Sequence, residues 1–116
     1  MQLKNDLQGR QMLDETVLNY YKAHGNRFVK RFLYSEDEEW GWWYSHYLVD
    51  RKHVIRYGIG QDRQAWVGGV ELGIGAHYFG AAEFWSSEDF WRFGNQATTE
   101  EVERNLALLD EFLGYK

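Results

Sequence analysis

Residues 40–59, W-G-W-W-Y-S-H-Y-L-V-D-R-K-H-V-I-R-Y-G-I, read as a β-hairpin. Two runs rich in aromatic and β-branched residues, Trp40 to Val49 and Lys52 to Ile59, flank the polar pair Asp50-Arg51. That is the composition of two strands joined by a tight turn. A two-residue turn sets Ser45 opposite Arg56. One face then carries Trp40, Trp42, Tyr44, His46 and Leu48 beside His53, Ile55, Tyr57 and Ile59; as the more apolar face, it is the expected core. The other face carries Trp43, Ser45, Tyr47 and Val49 beside Val54, Arg56 and Gly58. On it Arg56 lies diagonal to Trp43 and Tyr47, within cross-strand reach. Trp, Tyr and Arg dominate binding hot spots, so Trp43, Tyr47 and Arg56 are the expected anchors for a partner. The plainer alternative lays Arg56 over aromatic rings as a cation–π contact.

Upstream, Phe28 to Tyr34 alternate with period two and predict a strand. Ser35-Glu36-Asp37-Glu38-Glu39 follows, and four adjacent carboxylates predict a solvated loop. Further upstream, Leu13, Val17, Tyr20, Tyr21 and His24 form a helical stripe ended by Gly25. Downstream, Val67-Gly68-Gly69-Val70 predicts a second two-residue hairpin, with glycine supplying positive φ. Ala76 to Trp85 reads as a last strand, and Ser86 to Asn95 as a loop holding Phe90, Trp91 and Phe93. Thr98-Thr99-Glu100-Glu101 matches a capping box. The stripe Val102, Leu106, Leu109 and Leu113 then runs to a stop at Gly114. The expected fold is α+β: an antiparallel meander of five or six strands, with an N-terminal and a C-terminal helix packed on one face.

At 116 residues the chain is expected to form one domain, residues 1–116. Thirteen Lys and Arg against eighteen Asp and Glu give a net charge of −5. The charge is uneven: residues 1–35 carry six basic and three acidic side chains, and the rest seven and fifteen. An acidic surface argues against nucleic acid as a ligand. Without cysteine there is no disulfide framework and no thiolate metal site. No apolar run reaches membrane-span length, which points to a soluble, cytoplasmic protein. Aromatics make up 18% of the chain, the opposite of a disordered composition.

Motifs for chemistry are sparse. Gly58-Ile59-Gly60 and Gly73-Ile74-Gly75 lack the third glycine of a dinucleotide fingerprint and precede no helical pattern, so turns and close packing account for them. His46 and His53 fall as diagonal neighbours on the expected inner face, but a metal needs a third and usually a fourth ligand. Their other available role is acid/base chemistry with Glu71 or Glu83. Ser35, Ser45, Ser86 and Ser87 lie in no nucleophile motif. No cofactor, metal or catalytic residue is expected. The block Glu36, Asp37, Glu38 and Glu39, followed at once by tryptophans, reads instead as a steering patch beside anchors for a basic partner.

The W-G-W-W-Y strand at Trp40–Tyr44, the segment F-G-A-A-E-F-W-S-S-E-D-F-W at Phe79–Trp91 and the closing helix T-T-E-E-V-E-R-N-L-A-L-L-D-E-F-L resemble small acidic bacterial immunity proteins of polymorphic and contact-dependent toxin systems. The resemblance implies a non-enzymatic inhibitor that binds a cognate toxin protein, expected to be basic. Two alternatives stand beside it. One is a cystatin-like or NTF2-like small-ligand protein or enzyme, with His46, His53 and a carboxylate lining a pocket. The other is a sugar-binding module stacking on Trp40, Trp42 and Trp43.

Overall fold

Left-handed backbone at non-glycine residues sets the meander. Asp50 and Arg51 have φ of 54° and 59°, and Arg63 and Gln64 have φ of 50° and 70°. Such angles let a right-twisted strand pair turn back tightly. The computed structural model describes residues 1–85 and 88–115; the expected loop residues Ser86 and Ser87, and Lys116, lie outside the described residues. Helix α1 spans Leu7–Ala23, and strands β1 (Val29–Asp37), β2 (Trp42–Val49), β3 (His53–Asp62), β4 (Ala65–Ile74) and β5 (His77–Gly80) follow. A short helix α2 (Ala81–Phe84), a 3₁₀ turn at Phe90–Arg92 and helix α3 (Thr99–Leu113) close the chain. The five strands form one antiparallel sheet in sequence order, the expected α+β meander with a helix at each end.

Helices α1 and α3 each start on a side chain that accepts from an orphaned amide. Asp6 takes Gly9 N at 2.7 Å, and Thr98 takes Glu101 N at 3.1 Å. The α1 start lies earlier than the apolar stripe indicates. Gly9 is admitted to its first turn because a Cβ there would strike the Lys4 backbone. At the far end of α3, Gly114 adopts φ 85° and closes the helix.

Three expectations give way. The β2–β3 loop holds three residues, Asp50 to Lys52, because Val49 pairs with His53. Trp43 therefore pairs with Ile59, Ser45 with Tyr57 and Tyr47 with Ile55. One residue of register moves the side chains of a strand to the opposite face relative to its partner. The helices cover Trp43, Tyr47 and Val49 with Ile55, Tyr57 and Ile59, and Leu13, Val17, Val102, Leu106 and Leu109 fill the layer between. Trp42, Tyr44 and His46 belong to the other, open face.

Second, Gly68-Gly69 is not a turn. Arg63-Gln64 turns the chain, and β4 runs straight through both glycines, with Gly69 opposite Gly58 and Gly68 opposite Ile59. A side chain at Gly68 would meet Ile59 Cδ1 at 2.6 Å, so close packing explains that residue. Third, the acidic run is only half loop. Glu36 and Asp37 end β1, opposite Trp43 and Trp42, and the turn begins at Glu38. The last expected strand likewise stops at Gly80, where α2 begins.

Candidate functional site

Two glycines deny their strand a side chain and leave flat ground for rings. A Cβ at Gly58 would meet the Tyr44 ring at 2.7 Å, and one at Gly60 would strike the Trp42 indole. Both rings thus lie flat on the open face, their centroids 6.3 Å apart and their planes 18° from parallel. Beside them Arg56 sits between Tyr44 and Tyr78, its guanidinium carbon 4.2 and 4.4 Å from the two ring centroids. It donates to both oxygens of Glu71, at 2.9 and 3.1 Å. Arg56 is thus a cation–π and ion-pair residue on the open face, as the plainer reading has it.

His46 lies under this layer and is buried. Its Nε2 is 2.8 Å from Ser35 Oγ and its Nδ1 is 2.8 Å from Tyr78 Oη. Burial first, and then the Arg56 charge, hold the imidazole below its ordinary pKa. The Ser35–His46 pair has the reach of a nucleophile and base, but its outer nitrogen is orientated by a phenol rather than a carboxylate. His53 stands on the other side of the sheet, packed edge-on to Tyr115 with centroids 6.2 Å apart. The two histidines expected as neighbours therefore share no pocket. Among the described residues, no three His, Asp or Glu come together as a metal site, and no helix is long and apolar enough to cross a membrane.

The expected partner anchors divide. Trp43 and Tyr47 are 0% exposed. The register correction places them under the helices, where Tyr47 donates to Asp14 at 2.6 Å, so they cannot anchor a partner. Glu36 faces α1, bonded to Arg10 at 2.6 Å and to the Tyr34 hydroxyl. Asp37, Glu38 and Glu39 remain at the β1–β2 turn, and Trp40 beside them is 69% exposed. Of the three tryptophans expected as sugar platforms, Trp40 and Trp42 stand on or beside the open face and Trp43 does not.

The sequence reading misses a cleft of about 320 Å³ at this end of the sheet. It forms where the edge of β4 changes partners. Strand β5 pairs with Glu71 to Ile74, and Gln96 bridges back to Val67, so neither partner is registered on Gly69 or Val70. Trp42, Phe90 and Trp91 line it together with Gly69, Gly80 and Glu71. Trp91 is 69% exposed and Phe90 45%. Acidic residues flank these rings: Asp37 is registered opposite Trp42, and exposed Glu88 and Asp89 immediately precede Phe90. The sequence carries no signal for this site: Gly69 reads there as a turn residue, and only the structure shows the space above it empty.

No family model, curated protein or solved structure matches this chain.

Proposed function

We propose that the protein is a cytoplasmic, non-enzymatic inhibitor of the immunity type, which neutralises a basic toxin protein by docking it on the acidic, aromatic end of the open sheet face. The observation that supports this reading is the cleft lined by Trp42 and Trp91, flanked by Asp37–Glu39 and by Glu88–Asp89. Exposed tryptophans beside a pocket are the residue type that anchors interfaces, and like charge around them selects a cationic partner. The division of labour follows from physics. Exposed acids act at a distance, on the encounter, whereas rings that lose their water act on the bound state.

The test is binding kinetics against the product of the adjacent gene at low and high salt. Reversing Asp37, Glu38 and Glu39 to lysine should slow association by about tenfold or more at low salt, within the range that steering supplies. Dissociation should change little. Association at the wild-type rate, or the absence of any protein partner at that locus, would sink the proposal. Glu36 is left in place because its bonds to Arg10 and Tyr34 are internal.

A further inference from the structure

Gly69 and Gly80 line the cleft; Gly80 ends β5 and caps α2, whereas Gly69 lies inside β4 with no backbone need for glycine. Neither has a positive φ, and a Cβ built on either meets nothing within 4 Å. This contrasts with Gly58, Gly60 and Gly68, each pressed by a neighbouring side chain. Glycine inside a strand sacrifices both packing and backbone entropy, so a strand glycine with open space above it keeps that space free. The space is lined by the aromatic side chains of Trp42, Phe90 and Trp91. It also reaches Glu71, whose oxygens each accept one bond from Arg56 and so each retain a second lone pair. Acidic residues flank these rings.

We infer that this cleft receives an arginine side chain from the basic partner, an inference that rests on the docking reading above and names what the cleft takes. A guanidinium is planar, weakly hydrated and permanently cationic. It therefore stacks on indole faces while donating in its plane to a carboxylate. The protein already makes this arrangement internally, with Arg56 between Tyr44 and Tyr78 and forked onto Glu71. The bare floor at Gly69 leaves room for the guanidinium beside Glu71, with Trp42, Phe90 and Trp91 among the aromatic lining. A lysine ammonium presents no plane to stack and should bind more weakly. A neutral saccharide would use the rings but gain nothing from the surrounding carboxylates.

The experiment titrates the ¹⁵N-labelled protein with N-acetyl-arginine amide, N-acetyl-lysine amide and maltotriose, each at millimolar concentration. The expected result is a saturating shift of the Gly69 and Gly80 amides and of the Trp42 and Trp91 indole N–H signals with the arginine amide, and smaller shifts with the lysine amide. Gly69→Val puts a branched side chain into this space, where its Cβ meets nothing within 4 Å, and should abolish these shifts while the melting temperature holds or rises. Trp91→Ala, at an exposed position, should weaken them independently. Unshifted glycine and indole signals in the wild-type protein would overturn the inference, as would shifts that survive Gly69→Val or a stronger response to maltotriose. The two proposals fail separately. If acid reversal slows association with the partner but Gly69→Val leaves dissociation unchanged, the docking reading stands and the arginine inference falls. If arginine amide fills the cleft while acid reversal leaves association untouched, the reverse holds.

Discussion

At His46 the physics of a single side chain gives a measurable pH response. The imidazole is buried and bonded to Ser35 and Tyr78, with Arg56 and its partner Glu71 facing it across the sheet. Its folded pKa lies below the ordinary value, so at mildly acidic pH the unfolded chain binds the proton more readily than the folded one. Stability should thus be full above the ordinary histidine range, about pH 6.5, and should decline as pH falls from there toward the folded pKa. His53 is lowered as well, again first by burial, and contributes with the same sign. Denaturant melts of wild type and His46→Gln across pH 5 to 7 separate the two, since His53 is present in both. The wild-type curve should fall more steeply, and parallel curves would show that His46 titrates normally. A second residue-scale consequence sits at Arg27. It bonds Asp50 at 2.7 Å and Asp110 at 2.7 Å, and lies between the rings of Tyr21 and Tyr115. Arg27→Met leaves two mostly buried carboxylates without their cation and should cost about 3–5 kcal/mol in a urea melt. A loss within 1 kcal/mol would show that water replaces the guanidinium there.

The elements differ in how openly the sequence declares them. Helix α3 is legible to the residue, because Thr98, the stripe from Val102 to Leu113 and Gly114 are each local signals that nothing distant contradicts. The acidic run is legible only in its second half, since Glu36 and Asp37 end β1 and the turn begins at Glu38. The sheet was legible as strands but not as faces. Strand β2 has aromatics on both sides, so alternation cannot say which side is covered, and the decision passes to the turn. That turn is three residues long and takes left-handed φ at Asp50 and Arg51, where no glycine announces it. The β3–β4 turn repeats the lesson at Arg63-Gln64, while the conspicuous Gly68-Gly69 serves β4 instead. Distant partners were invisible: Gln96 returning to Val67 creates the cleft, and nothing near either residue encodes it. The legible element also gives the firm prediction. Leu109 is fully buried in the α3 stripe, and Leu109→Ala should cost about 2–5 kcal/mol by calorimetry or denaturation. An unchanged melting temperature would mean that α3 is not docked on the sheet.

Across the whole molecule, the core occupies one side of the sheet, and the docking proposed above uses the other. Under the helices, large rings are spent on the core: Trp43, Tyr47, Tyr57 and Tyr21 are all buried. Trp43 even keeps a buried indole N–H with no partner among the described residues, a cost that full burial of its ring outweighs. On the open side, rings lie flat over glycine or stand in solvent, where they contribute little to folding. Two tryptophans therefore have opposite fates. Trp43→Ala should cost about 3–5 kcal/mol, a large part of the roughly 5–15 kcal/mol that holds a domain together. Trp91→Ala, at a mostly exposed position, should stay within about 0.5 kcal/mol of wild type, as surface substitutions do. In binding the order reverses. A ring that loses its water against a partner is worth about 2 kcal/mol or more, so Trp91→Ala should speed dissociation from the proposed basic partner without unfolding the protein. A Trp91→Ala protein that melts early would place the ring in the core's account. One that both melts and dissociates like wild type would leave the cleft wall without a role in docking.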